Sequence, residues 1–389
     1  MAQTTNVPIH QSDDNGQMGD VRIESLGNSP NRHGRALWKK VDELAFEEVE
    51  NHISSTTIKK KKNEKEFFIL YAYGELVGRA AATVDQEWLD TKEENVGFID
   101  DFVIRPGYEH LADVLIQHCL HVLKDKGVEG VIARSHQFPA LAAEDIQEVP
   151  PFGLPCNPSL HIGLFERNGF IKEKEWTCCR LLMPPEPTGE DLVKSGEVLD
   201  RFNAEFRRLN MRSRREVKEY NDLSYNVLVG HFGYTPMRFM ETDSLIRFLI
   251  FGIVCRLVRL NIYIARDRDT NEMFGFASYL PAFNNALKTT LKQSGKHRLL
   301  AIPRFLIALH RTDKATIGAI GLADGVRGKG FTNMMDHVIK AIRDDGFKQA
   351  DSGPMLVENT VVVYIVEKIC SRHSLEMKRL EYHTLLYRF

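Results

Sequence analysis

The residues best suited to chemistry in this 389-residue chain run from Ile317 to Thr332. An apolar, β-prone stretch ends near Ala323. The turn Asp324-Gly325-Val326-Arg327-Gly328-Lys329-Gly330 follows, and an amphipathic run opens at Phe331. A helix N-terminus exposes unpaired N–H groups and a partial positive charge. Glycines let that backbone approach a diphosphate more closely than side chains would allow. Arg327 and Lys329 add compensating charge. A pyrophosphate-bearing ligand is therefore the chemical expectation, held by Arg327, Gly328, Lys329, Gly330, Phe331 and Thr332.

Such a turn needs a strand before it and a helix after it, and both are legible. Ala315 to Ala323 reads as a strand. Phe331, Met334, Met335, Val338, Ile339 and Ile342 fall on one helical face, with Gly346 as the stop. The first half of the chain repeats the arrangement. Gly97 to Ile104 reads as a strand, followed by a helix with Leu111, Val114, Leu115, Cys119, Val122 and Leu123 on one face and Gly127 as the stop. Upstream, Phe67 to Ala72 and Leu76 to Val84 form a strand pair, matched by Leu260 to Ala265 and Met273 to Leu280. A short strand then follows each helix, Val128 to Ala133 and Phe347 to Ser352. Each half reads strand, strand, strand, helix, strand, helix, strand. This is a duplication in pattern and an α/β fold with a partly parallel sheet.

Residues 1–33 are rich in Asn, Gln, Ser, Asp and Gly and read as a disordered leader. Pro184, Pro185 and Pro187 mark a linker over 184–193. It separates a first domain at 34–183 from a second at 194–389. A net charge of −2 lacks the basic footprint of a nucleic-acid binder. The six cysteines form no CxxC pair and the histidines complete no zinc pattern, so no metal is expected and the thiols read as reduced. The most apolar run, Leu245 to Ala265, is interrupted by Arg247, Arg256 and Arg259, which argues against a membrane span. No secretory signal opens the chain, and the cytoplasm is the expected location.

The Arg327–Thr332 stretch resembles the acyl-CoA motif R/Q-x-x-G-x-G/A of the GNAT acyltransferase superfamily. Arg327 and Gly330 match it, and Thr332 stands where Gly or Ala is usual. Leu164-Phe165-Glu166-Arg167-Asn168-Gly169-Phe170 is similar to that family's last helix-to-strand junction, as are Glu358-Asn359 and Val366-Glu367-Lys368. Tyr220-Asn221, Phe232-Gly233-Tyr234-Thr235-Pro236 and Asn285-Ala286-Leu287-Lys288 resemble a group of bacterial two-domain GNAT-like proteins. The resemblance implies two tandem GNAT-like domains, each a mixed twisted sheet flanked by helices. It implies acyl-CoA as co-substrate, with no permanent cofactor, and an amine acceptor. The first half departs from the motif at Arg105-Pro106-Gly107-Tyr108-Glu109-His110. Pro106 lacks a donor, and Glu109 puts negative charge where phosphate would sit, so this half is not expected to hold coenzyme A.

In the resembling family an amine attacks the thioester directly. Backbone N–H groups around Ile320 and Leu322 would face the acyl carbonyl, and Asn359 joins the expected donor contacts. The tyrosine that often protonates the leaving thiolate has its position at Val366, so that role does not transfer. Tyr364, Glu358, Asp351 and His231 are the candidate acid–base groups. The stretch Asn284 to Arg311 mixes apolar and basic residues in a way that suits an anionic membrane surface or an acyl-chain tunnel, as well as helices packed on the sheet. Lys59-Lys60-Lys61-Lys62 adds a basic loop. Three functions follow: a soluble N-acyltransferase, a membrane-surface enzyme forming a lipid amide in the manner of a ceramide synthase, or a non-enzymatic protein that binds coenzyme A or a partner.

Overall fold

The computed structural model describes residues 4–5, 21–45, 64–135, 138–146, 148–151, 153–183, 203–229, 252–294, 301–323 and 331–389. It divides into two compact units. The first is Met1–Trp176 with Glu381–Phe389, and the second is Thr177–Leu380.

In the first unit β1 (Thr4–Thr5), β2 (Val21–Gly27), β3 (Glu64–Ala72), β4 (Glu75–Val84), β5 (Val96–Ile104) and β6 (Gly130–Arg134) lie side by side in that order. Every pair is antiparallel except β5–β6, which is parallel. Helix α1 (Arg32–Ala45) covers one face with Trp38 and Val41, against Phe67, Ile69, Leu76, Ala81 and Val103. After α2 (Gln86–Lys92), α3 (Ala112–Asp125) covers the other face with Leu115, Ile116, Cys119 and Leu123, the 3–4 spacing that its sequence predicts. Gly127 ends it at φ 78°. The unit continues through β7 (Leu141–Ala142), α4 (Leu160–Arg167) and the start of β8 (Ile171–Leu182).

The second unit contains β9 (Ala204–Arg208), α5 (Arg214–Leu228), β10 (Asn261–Asp267), β11 (Met273–Pro281), α6 (Phe283–Ser294), α7 (Ala301–Arg311) and β12 (Lys314–Leu322). Then come α8 (Phe331–Asp344), β13 (Gln349–Asp351), β14 (Met355–Leu356), α9 (Thr360–Arg372) and β15 (Glu376–Arg388). Strands β9, β10, β11 and β12 are antiparallel neighbours, and β12–β13 is the parallel pair. Met334, Met335, Val338, Ile339 and Ile342 of α8 pack with Val366, Ile369 and Cys370 of α9 on one face. On the other, Val217 of α5 joins Ile262 and Ile264, and Tyr220 meets Phe276 edge-on at 5.5 Å.

The two halves of the sequence trade their last strands. Beyond Trp176, β8 belongs to the second unit and pairs with β13, Arg180 opposite Asp351. Beyond Leu380, β15 belongs to the first unit and pairs with β6, Leu385 opposite Ala133. The expected split into contiguous domains at 34–183 and 194–389 is therefore replaced by two units that each borrow a strand. Either strand presents a run of buried residues, and alternation alone does not say which edge it joins.

The stretch read as a disordered leader contains a core strand. Val21 and Ile23 are buried and Arg22 is exposed, an alternation short enough to be lost in the polar composition around it. The linker residues 184–193 and the lysine run at 59–62 lie outside the described residues.

Candidate active site

The site begins where a parallel pair of strands parts. In the second unit the β12–β13 ladder runs from Lys314↔Gln349 to Thr316↔Asp351, whereas β12 itself continues to Leu322. Gly318, just beyond the last paired residue, is exposed. The Ala323 amide donates to Phe274 O at 2.8 Å. Strand alternation then turns the amides of Ile320 and Leu322 away from β11, toward the side on which β13 has ended. A wall of amides that point away from the neighbouring strand, with no partner among the described residues, is what an acyl carbonyl needs for stabilisation as it becomes an oxyanion.

A bulge shapes that wall. The β11–β12 register shifts between Ala277 and Tyr279, so Ser278 opposes both Gly318 and Ala319. The Ser278 hydroxyl accepts from the Ala319 amide at 3.0 Å and donates to the Ala319 carbonyl at 3.3 Å. It takes the place of the missing backbone partner. A Cβ on Gly318 would lie 2.7 Å from Ser278 Oγ, so the latch and the glycine require one another. Thr316 Oγ1 is buried at the junction without a hydrogen-bond partner among the described residues. Sequence reasoning missed Ser278 and Gly318 as site residues. The available signal was a small polar residue in one strand facing consecutive small residues in the next.

The first unit has the same junction, but it is filled. The β5–β6 ladder ends at Asp100↔Arg134 while β5 continues to Ile104, and its register against β4 shifts between Arg79 and Ala81. The residues at this bulge are Asp101, at φ 51°, and Phe102. Phe102 is buried, with ring centroids 5.1 Å from both His161 and Phe165. Burial holds His161 neutral, its pKa pushed down to about 3 against a smaller opposing pull from Asp145. Arg134 clamps Asp100 through two bonds of 2.6 and 3.0 Å and reaches Asp85 at 3.0 Å. Burial opposes ionisation of Asp100, but Arg134 and Lys65 hold its carboxyl well below the usual range.

The following turn in the first unit is also internally satisfied. Arg105 pairs with Glu75 at 2.5 Å, Tyr108 donates to Glu75 at 3.1 Å, and the Gly107 amide donates to Glu109 Oε1 at 3.0 Å. The cation and the amide that would meet a phosphate already have carboxylate partners.

The expected site residues are placed as follows. Ile320 is half-buried and Leu322 buried on β12. Asp351 is buried and accepts from Arg180 at 2.8 and 3.1 Å and from Gln349 at 3.2 Å, so it serves as the counter-ion of a buried guanidinium. Glu358 is exposed ahead of α9. Asn359 is the N-cap of α9, its side chain accepting from the Val362 amide at 3.4 Å. Tyr364 is 60% exposed, with Lys368 Nζ 5.9 Å from its ring, and Val366 is buried in the core. Phe331 and Thr332 open α8. His231 and the loop Arg327–Gly330 lie outside the described residues. Among the described residues no group of His, Cys, Asp or Glu is gathered to hold a metal ion. The six cysteines form no disulfide, and no helix among the described residues is long and apolar enough to cross a membrane.

Each unit thus opens at a parallel strand pair with a register shift beside the junction. Residues 35–143 match the model of the Acetyltransferase (GNAT) family. Three solved structures share the fold. One is the glucosamine N-acetyltransferase region of a fungal multi-domain GH3 β-N-acetylglucosaminidase, with TM-score 0.53 and 13% identity over 95% of this chain. This chain spans 38% of that protein. A tandem GNAT protein from the clavulanic acid biosynthesis pathway has TM-score 0.52 and 9% identity over 95% of this chain and 98% of its own. A GCN5-related N-acetyltransferase from Sphaerobacter thermophilus has TM-score 0.51 and 11% identity over 94% and 95%. No curated protein matches the sequence. The GNAT-family match thus lies in the first unit, and the chain as a whole shares the fold of a solved tandem GNAT structure.

Proposed function

We propose that the chain transfers an acyl group from a coenzyme A thioester to a primary amine, with the thioester seated at the opened edge of the second unit. The observation that carries this reading is the Ser278-latched bulge. It leaves Gly318 exposed and turns the Ile320 and Leu322 amides toward the gap beyond Thr316 and Asp351. In this reading Arg327, Gly328, Lys329 and Gly330 lead into the N-terminus of α8, where Phe331 and Thr332 begin the helix, and hold the diphosphate. Asn359 is a polar contact at the start of α9.

The amine nitrogen attacks the thioester carbon, the carbonyl oxygen draws on the Ile320 and Leu322 amides, and the C–S bond breaks. The amine proton passes to a base, and the thiolate leaves with a proton from an acid or from solvent. Glu358 and His231 are the base candidates. Asp351 is engaged by Arg180 and acts through the geometry of the junction. Tyr364 is the acid candidate that an exposed position on α9 leaves open.

The test is thermal stabilisation of the whole chain by coenzyme A, acetyl-CoA and palmitoyl-CoA, since a ligand that binds only the native state raises the melting temperature. Arg327→Ala with Gly330→Asp removes the shift if the loop holds the diphosphate. A folded sample that responds to none of the three ligands rejects the enzyme reading and leaves a partner-binding GNAT-like protein. A second reading takes the donor as a long-chain acyl thioester and the product as a lipid amide. It is favoured by large apolar side chains exposed on the second unit, Ile302 at 72% among them. A response to palmitoyl-CoA alone supports it, and a response to acetyl-CoA alone rejects it.

A further inference from the structure

We propose that residues 252–258 and α7 form a docking face for an anionic lipid surface. This gives a partner to the lipid-amide reading, and the experiment below reads docking without turnover, so either can fail without the other.

Both segments expose large aliphatic side chains. Ile253, Val254 and Leu257 are exposed on the first, and Ile302 and Ile307 on the second. Single exposed aliphatics are ordinary, whereas two adjoining elements that both present them form a patch that water does not favour. His310 Nε2 lies 3.1 Å from Leu257 O and ties the segments together. On α7 the exposed positions Pro303, Ile307, His310 and Arg311 share one stripe, Ile302 is exposed at the first turn, and Leu309 is buried. Phe283 of α6 stacks on Phe305 at 5.6 Å and holds α7 from behind.

Charge selects the occupant. No Asp or Glu occurs between Asp243 and Asp267, nor between Glu272 and Asp313. The chain has 53 acidic residues in 389, one in about seven, and neither residues 252–258 nor α7 contains one. Arg256 and Arg311 are exposed within this face. The whole chain carries −2, so attraction to an anionic surface must come from this local arrangement. A second copy meeting the face through two-fold symmetry would set the same cationic patch against itself. Anionic headgroups pair with the arginines while the aliphatic side chains enter the acyl boundary, the mode of an interfacial amphipathic helix.

The experiment floats the full chain with vesicles of phosphatidylcholine, with and without phosphatidylglycerol. The expected result is recovery only with the anionic vesicles, lost as salt shortens the Debye length from about 30 Å at 0.01 M to about 3 Å at 1 M. Arg256→Gln and Arg311→Gln should each lower partitioning roughly fivefold. Ile302→Asp with Ile307→Asp should abolish it, with circular dichroism and melting temperature unchanged. Three outcomes overturn the proposal: no recovery with anionic vesicles, equal recovery with both kinds, or full recovery of folded variants. If light scattering finds a dimer that Ile302→Asp with Ile307→Asp dissociates, the face is a copy-to-copy interface and the lipid assignment fails.

Discussion

Ser278 satisfies both backbone groups of Ala319 with one hydroxyl, at 3.0 and 3.3 Å. The bulge it holds sets the direction of the Ile320 and Leu322 amides. Ser278→Ala should leave the core intact and cost about 1 kcal/mol of stability, the net worth of such a bond. The catalytic loss should be larger, roughly tenfold or more in kcat with KM for the acyl donor little changed, because misaimed amides lose charge stabilisation specific to the transition state. Steady-state kinetics beside a urea titration separate the two. Equal losses of stability and of kcat would make Ser278 a structural residue only.

Gly318 is the complementary test. Any side chain there meets Ser278 Oγ at 2.7 Å and so displaces the latch that holds the bulge. Gly318→Ala should lower the melting temperature of the free chain, because the latch must shift, and should abolish the further rise given by whichever acyl-CoA stabilises the native chain. A retained shift would place the thioester elsewhere.

In the first unit Arg79 and Asp42 pair at 2.6 Å, with 2% of each side chain exposed. Arg79 also donates to Trp38 O at 3.0 Å and lies over the Trp38 ring at 4.6 Å. Asp42→Ala strands a buried guanidinium and should cost about 3–5 kcal/mol by urea unfolding. Asp42→Leu combined with Arg79→Met should recover most of that loss, because no charge is then left buried. A single substitution costing under about 1 kcal/mol would mean that water reaches the pair.

His161 makes the first unit sensitive to acid. Its pKa is near 3 in the folded chain, lowered by burial, against about 6.5 unfolded. The unfolded chain therefore binds a proton between those values that the folded chain refuses. The associated stability is complete above about pH 6.5 and declines as pH falls toward 3, by about 1.4 kcal/mol per pH unit within the window. His161→Phe should flatten the urea midpoint against pH over that range. An unchanged slope would assign the acid sensitivity to other groups.

Much of the fold was legible because hydrophobic period reports burial directly. The Met334–Ile342 face and the run Gly97–Ile104 occupy the elements their periodicity implies. Glu109 was legible as a residue that sets the first turn apart, and its carboxylate accepts from the Gly107 amide. The role of Ser278 was not, because it depends on strand register, which alternation in a single strand leaves undetermined. Asp351 looked like a free carboxylate because its partner Arg180 lies 171 positions away. The conflict between a polar leader and the buried Val21 and Ile23 was lost in averaging over too long a window.

The traded strands bear on how this chain can be cut and how it assembles. Trp176 bonds Thr384 across 208 positions, so a fragment ended in the proline-rich segment keeps β8 and lacks β15, the strand its own sheet requires. Neither half is a self-sufficient module, and two fragments made together should complement each other where each made singly aggregates. Completion of the first unit's sheet awaits synthesis of β15 at the end of the chain, which should make its assembly slow and late.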